Sequence, residues 1–200
     1  MIIKFTQSKL MQVSVIEKDN VGLFSGLVLN RANALCKEMV SMTYLKKQSV
    51  QMADALVIAH SGAVTRSKNA MDVMGIAFIQ VRKNSVYVDV ICASGVGKRV
   101  LEETFKYAKS KGKKYVTLSA LSHVIGYYRK VGFVHGYETC VDDSNVNRYY
   151  TVRSGSPAAT TNNEHRQLLQ LLVKKRFVSN PRCKTVDDCS SDGFVMTKCL

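Results

Sequence analysis

The sequence predicts an α/β (α+β) fold in which short strands of mixed type alternate with amphipathic helices. Three observations carry that expectation. An apolar run, Val86-Tyr87-Val88-Asp89-Val90-Ile91-Cys92, enters a glycine-bearing turn, Ser94-Gly95-Val96-Gly97-Lys98-Arg99. An amphipathic run, Val100-Leu101-Glu102-Glu103-Thr104-Phe105-Lys106-Tyr107-Ala108, leaves the turn, so the stretch reads strand, turn, helix. Asn84-Ser85 separates the apolar run from an earlier one over 73–81, which reads as a hairpin.

The turn has a chemistry of its own. Backbone N–H groups at a helix start have no partner within the helix, and the helix dipole is positive there. Gly95 and Gly97 carry no side chain, so a phosphate can approach that backbone, and Lys98 and Arg99 add positive charge. Two named phosphate loops are excluded. The P-loop pattern G-x-x-x-x-G-K-[ST] fails because Cys92 stands five residues before Gly97 and Arg99 follows Lys98. The dinucleotide fingerprint fails because Val100 stands where its third glycine belongs.

Taken in order, residues 2–5 and 10–16 read as short strands, the second alternating Met11, Val13, Val15 against Gln12, Ser14, Ile16 and broken by Asp19-Asn20 and Gly22. Residues 23–48 turn helical, with Leu27, Ala34, Leu35, Met39 and Met42 at three- and four-residue steps. The continuous apolar run Ala55-Leu56-Val57-Ile58-Ala59 predicts a strand buried on both faces, and 61–69 a polar loop. Gly75 sits inside the strand over 73–81. The helix after the glycines is expected to bury Val100, Leu101, Phe105 and Ala108, and to stop at Gly112 amid Lys109, Lys111, Lys113 and Lys114. A strand over 115–118, a short helix over 122–130 stopped by Gly132, and a strand starting at Phe133 follow. Beyond Tyr150 the composition shifts to a polar stretch, then a helix over 164–177 ending in Lys174-Lys175-Arg176, then loop. A closing strand is expected over 193–200.

Two hundred residues suggest a single domain, and 46% hydrophobic residues supply a core. No run approaches a membrane span, no membrane partner is expected, and the start lacks the pattern of a signal peptide, so the expectation is an intracellular protein, cytoplasmic or nuclear. Of six cysteines, Cys36 and Cys92 lie in apolar runs and are expected to pack as thiols. Cys183, Cys189 and Cys199, with His165, fit no familiar zinc module, and no metal site is expected. The formal charge of +14 attracts anions: nucleic acid, acidic lipid or a phosphorylated cofactor.

The order of elements, with two motifs, resembles the GNAT superfamily of acetyl-CoA-dependent N-acetyltransferases. Cys92-Ala93-Ser94-Gly95-Val96-Gly97 is similar to that family's [QR]-x-x-G-x-[GA], with Cys92 in place of Gln or Arg, and Val100-Leu101 continues it. Val124-Ile125-Gly126-Tyr127-Tyr128-Arg129-Lys130-Val131-Gly132-Phe133 resembles the family's helix with a tyrosine four residues before Gly-Phe. Leu121 stands where many members carry Asn. The likeness is good over about 73–137 and absent over about 154–191, which therefore reads as a basic helical insertion before the closing strand.

The resemblance implies a mixed, mostly antiparallel central sheet flanked by helices, with the strands over 86–92 and 115–118 splayed at the cofactor site. It implies direct transfer of acetyl from acetyl-CoA to a primary amine, of a small molecule or a protein, in a ternary complex. Pantetheine would pair with backbone at Ile91 and Cys92, and the pyrophosphate would sit on N–H groups of Gly95, Val96, Gly97, Lys98 and Arg99. Tyr128 would protonate the leaving thiolate, with Tyr127 in reserve, and Asp89 would take the ammonium proton, with Glu138 and His123 as alternatives. Asp142-Asp143 with Glu138 is a candidate acidic patch for the amine. The rival reading is a nucleic-acid or other anion-binding module, a non-catalytic use of the same fold. It rests on charge and on the basic helix end Lys174-Lys175-Arg176, and it lacks clustered aromatic residues interleaved with the basic ones in sequence.

Overall fold

The computed structural model describes residues 11–36, 40–61, 72–121, 124–141 and 194–200. The expected strand over 2–5, the insertion over 154–191 with its helix, His123, Asp142-Asp143, His165, Cys183 and Cys189 lie outside them. The elements are β1 (Met11–Glu17), α1 (Lys18–Cys36), and α2 (Met42–Tyr44), which runs on through a π-helical segment, Leu45–Val50. Then come β2 (Ala55–Ser61), β3 (Asp72–Val81), β4 (Ser85–Ala93), α3 (Gly97–Ser110), β5 (Tyr115–Ala120), α4 (Ile125–Lys130), β6 (Val134–His135) and β7 (Phe194–Cys199). Among the described residues the strands form one mixed sheet in the order β1-β2-β3-β4-β5-β7-β6, with β4 and β5 parallel and joined by α3. A parallel pair needs such a crossover, while its antiparallel neighbours can be joined by hairpins. No described helix is long and apolar enough to cross a membrane.

Two compact units divide the chain: Met1–Val81 with Val88–Tyr107, and Arg82–Tyr87 with Ala108–Leu200. In the first, β1 pairs with β2 from Met11↔Ser61 to Glu17↔Ala55, and β2 with β3 from Ala55↔Ile79 to Ser61↔Asp72, with a bulge at Ala59/His60. Every residue of β2 from Ala55 to His60 is buried, as its unbroken apolar run predicts. The imidazole of His60 is accommodated there by the Ser14 hydroxyl, 2.9 Å away. Leu56, Ile58, Ile76 and Phe78 pack with Val21, Ala32 and Cys36 of α1 in the core of this unit. Full burial of each large side chain stabilises by about 1.5–3 kcal/mol.

In the second unit β5 pairs with β7 from Tyr115↔Cys199 to Ala120↔Phe194, so the closing strand expected near the C-terminus is present. β6 pairs with β7 through only Val134 and His135. The strand expected from Phe133 is therefore brief. The Thr197 hydroxyl stops it by donating to the Gly136 carbonyl at 2.7 Å and accepting from the Glu138 amide at 3.0 Å.

The structure corrects three further expectations. The strand does end before Asp19, at Glu17, but the helix expected from residue 23 already starts at Lys18, so Asp19, Asn20 and Gly22 lie in the first turns of α1, where the Asp19 carboxylate suits the positive end of the dipole. The buried stripe of α3 is Val100, Leu101, Thr104, Tyr107 and Ala108, with Phe105 only half-buried. Thr104 takes its place because its hydroxyl is satisfied within the helix, donating to the Val100 carbonyl at 2.8 Å. Cys36 and Cys92 are joined to each other, with Cα atoms 5.1 Å apart, rather than packed as thiols, because α1 ends over the end of β4. Cys140 is joined to Cys199, which removes that thiolate from any metal set.

The start of α3 lies unusually close to β3. A Cβ on Gly75 would stand 2.9 Å from Cγ2 of both Val96 and Val100, and 3.1 Å from the Ala93 Cβ. Gly75→Val should therefore lower the free energy of unfolding by about 1–3 kcal/mol through overpacking. Urea titration of the two proteins measures it, and unchanged stability would show that α3 can shift without cost.

Candidate functional site

β4 hands the chain to the glycine turn with its last pairing intact: the Ser94 amide donates to the Met74 carbonyl of β3 at 2.9 Å. Gly95 then adopts φ +72°, a conformation that a residue with a Cβ rarely takes. The Val96 carbonyl accepts from the amides of Arg99 at 3.0 Å and Val100 at 3.2 Å, so Val96 is the residue on which α3 closes. The amides of Gly97 and Lys98 precede those bonds and have no backbone partner among the described residues. The first turn of α3 holds no acidic side chain. Among the described residues Lys98 makes an exposed pair with Glu102, 3.8 Å away, and Arg99 reaches the Met11 sulfur at 3.8 Å. Such contacts are worth a few tenths of a kcal/mol and yield readily to an anion.

A cavity of about 400 Å³ adjoins the turn. Its walls are Arg31, Ala34 and Leu35 of α1, Val73 of β3, and Ala93, Ser94 and Gly95. Arg31 thus brings a third cation beside the turn, and it meets Asp72 at 3.6 Å, half exposed. Sequence reasoning missed Arg31, and nothing local marks it, because only the packing of α1 carries it there.

Side chains on β4 alternate: Val86, Val88, Val90 and Cys92 are buried, while Tyr87, Asp89, Ile91 and Ala93 are half-buried. That regular alternation also orders the backbone. At the other end of the strand the Arg82 amide donates to the Ser85 carbonyl at 2.8 Å, which turns Ser85 and, by alternation, Tyr87, Asp89 and Ile91 toward β3 and Cys92 away from it, so the Ser94 bond to Met74 follows a change of parity at the end of β4. The Cys92 sulfur is committed to Cys36, so its thiol takes no part in chemistry at the turn. Asp89 is held from another element: the Tyr44 hydroxyl of α2 donates to Asp89 Oδ1 at 2.8 Å. The Ser41 side chain fixes that helical turn by accepting from the Tyr44 amide at 3.1 Å. Tyr44 is a second residue that sequence reasoning missed.

The second unit holds Tyr128. The neighbouring tyrosines of α4 part company as helix geometry requires, Tyr127 being 41% exposed and Tyr128 only 8%. Tyr128 packs edge-on against Phe133 at 5.6 Å and against Tyr127 at 5.4 Å. Burial, and then the neighbouring Tyr127, push its hydroxyl up to about 12 from 10.0, so at neutral pH it is a proton donor. Glu138, an alternative base, is engaged elsewhere: its carboxylate accepts from the Ser85 hydroxyl at 2.8 Å and from Asn84 Nδ2 at 3.1 Å. The structure thus gathers Asp89, Ile91, Cys92 and the glycine turn in one unit and places Tyr128 and Glu138 in the other.

No protein-family model matches the sequence, and no curated protein is significantly similar to it in sequence. Solved structures are similar in three dimensions. A candidate N-acetyltransferase from Lactobacillus plantarum aligns over 95% of this chain and 98% of its own, with a TM-score of 0.52 and 10% identity. The catalytic domain of the Tetrahymena GCN5 histone acetyltransferase, solved with coenzyme A, aligns over 65% of this chain and 80% of its own, at TM-score 0.48 and 16% identity. The PaiA N-acetyltransferase from Thermoplasma acidophilum, solved with coenzyme A, aligns over 96% and 99%, at 0.47 and 12%. The chain therefore has the GNAT N-acetyltransferase fold, as its two motifs imply.

The raised Tyr128 hydroxyl makes a stability prediction. The unfolded tyrosine ionises near 10.0 and the folded one near 12, so its contribution is present below pH 10 and is lost as pH rises through 12. A shift of that size is worth about 2–3 kcal/mol at its limit. Denaturant titrations from pH 8 upward should show a fall in stability that is shallower in Tyr128→Phe. Equal slopes in both proteins would place the hydroxyl in water.

Proposed function

We propose that this chain transfers acetyl from acetyl-CoA to a primary amine by direct attack in a ternary complex. One observation supports it above the others: the turn after β4 leaves the Gly97 and Lys98 amides open at the start of α3, beside Lys98, Arg99 and Arg31. A pyrophosphate supplies the anion that this arrangement lacks. In this reading the pyrophosphate lies on the amides from Gly95 to Arg99, and pantetheine lies along β4 at Ile91 and Cys92. A backbone N–H of that stretch polarises the thioester carbonyl.

The amine arrives as an ammonium. Asp89 takes its proton, directly or through water, and the freed nitrogen attacks the thioester carbon. The C–N bond forms, the C–S bond breaks, and Tyr128 gives its proton to the departing CoA thiolate. A thiol with a pKa near 8.5 is a tolerable leaving group, so the acid accelerates the step without being indispensable to it. Asp89 supplies local negative charge in a chain of formal charge +14, which is what a cationic acceptor needs, whether a small molecule or a protein amine.

Acetyl-CoA at a hundred times its dissociation constant should stabilise the fold by about 2.7 kcal/mol, read as a rise in melting temperature. Gly97→Val should abolish most of that rise while the unliganded protein stays folded, since a branched side chain fills the phosphate's place. No shift with the parent protein at millimolar acetyl-CoA would refute the reading, and an equal shift in Gly97→Val would reduce the turn to a structural feature.

CoA release across a panel of amines identifies the acceptor. With that amine, Tyr128→Phe should cut kcat by about 10²- to 10⁴-fold with little change in acetyl-CoA affinity. Retained turnover there, with loss in Tyr127→Phe, would move the acid to the exposed ring.

A further inference from the structure

The lysines around Gly112, which the acetyltransferase reading leaves unused, do not stand alone. The turn that carries them is bonded to the tip of the β3–β4 hairpin: Lys114 N donates to the Asn84 carbonyl at 2.9 Å, and Lys113 Nζ to the Lys83 carbonyl at 3.3 Å. Two segments of one compact unit thereby bring together Arg82, Lys83, Lys109, Lys111, Lys113 and Lys114. Lys83, Lys109, Lys111 and Lys114 are exposed, and Arg82 and Lys113 partly so. Of the described cations, Lys18, Arg31, Lys98 and Lys106 each meet a carboxylate, whereas Arg99 reaches only a sulfur. Among the described residues none lies within ion-pair distance of Arg82, Lys83, Lys109, Lys113 or Lys114. Glu138, the carboxylate that meets the hairpin, is turned onto Asn84 and Ser85. Holding like charges together in this way costs free energy that a polyanion returns.

Aromatic rings are gathered to the same place. The Arg82 guanidinium lies over the Tyr87 ring, 3.9 Å from its centroid, which fixes a planar cation at the hairpin base. Tyr137, next in the chain to Glu138, is 46% exposed. Interleaved aromatics are what the sequence lacks for nucleic-acid binding, and the fold supplies them from β4 and from the segment after β6.

We propose that this surface of Arg82, Lys83, Lys109, Lys111, Lys113 and Lys114, flanked by Tyr87 and Tyr137, binds single-stranded nucleic acid. The lysines meet phosphates, and the Arg82 plane and the Tyr137 ring stack on bases that a single strand leaves open. An anionic membrane satisfies the lysines but gives the stacked guanidinium no partner. The proposal stands apart from acetyl transfer and does not depend on it.

The test uses the full chain and a fluorescein-labelled oligouridylate about 20 nucleotides long, read by anisotropy. Affinity should fall with salt with a log–log slope of about −0.7 for each phosphate contacted. Lys114→Glu should weaken binding about tenfold. Lys46→Glu, an equal change of charge on the exposed side of the segment after α2, should weaken it less than about twofold. Tyr137→Ala should cost about tenfold with the salt slope unchanged, as loss of stacking requires. Circular dichroism establishes that each variant is folded. Equal loss in Lys114→Glu and Lys46→Glu would reduce the effect to net charge and overturn the proposal. So would tighter binding to phosphatidylserine vesicles than to the oligonucleotide, or no binding at low salt.

Discussion

Contact between the first turn of α3 and Gly75 of β3 is the constraint on which the first unit depends. Val96 and Val100 occupy the space that a Cβ on residue 75 would take, so the helix begins directly against the sheet. That closeness sets where the Val96 carbonyl lies, and the Val96 carbonyl decides which amides are consumed by the helix and which stay open. A helix start held by packing is preorganised for an anion, because its dipoles need no rearrangement when charge arrives. The helix dipole also explains a local inconsistency. Lys98 and Arg99 are cations at the positive end of a helix, an arrangement that lowers stability unless an anionic partner joins it.

β4 divides its duties by parity. Its buried residues, Val86, Val88, Val90 and Cys92, hold it in the core, and Cys92 is further tied to the end of α1. The half-buried set, Tyr87, Asp89 and Ile91, is the one with chemistry to offer, and each member meets a different environment. Tyr87 carries the Arg82 guanidinium, Asp89 accepts from Tyr44, and Ile91 lies one residue before the bridged Cys92. A shift of one residue in the register of this strand would bury the carboxylate and expose the valines, which is why the hairpin at Asn84 matters well beyond its own turn.

The distribution of charge has the same logic. The four described ion pairs all lie in the first unit, while at the joined tips of the second unit cations are concentrated and the nearby Glu138 is turned onto Asn84 and Ser85. Net charge alone says only that anions are attracted. Its placement divides the described cations between the start of α3, where Lys98 and Arg99 flank two open amides, and the joined tips of the second unit.

By itself the sequence determined those features whose causes are local. The strand, glycine turn and helix at residues 86–108 follow from hydrophobic period and from the backbone freedom of Gly95, and the full burial of β2 follows from an unbroken apolar run. The order of elements and the two motifs were enough to reach the GNAT fold. Where a local rule competed with packing, it lost: Asn20 and Gly22 are poor helix formers, yet they are helical because α1 buries Val21, Ala32 and Cys36 against the sheet. Only the tertiary structure decided the partners that lie far apart in the chain. The Cys36–Cys92 bridge, the Tyr44 hydroxyl on Asp89, Arg31 beside Ser94, and Lys113 on Lys83 each join segments that the hydrophobic period places on elements but cannot pair. Period and propensity act over a few residues, whereas these contacts are consequences of loop closure and sheet register, which are properties of the whole folded chain.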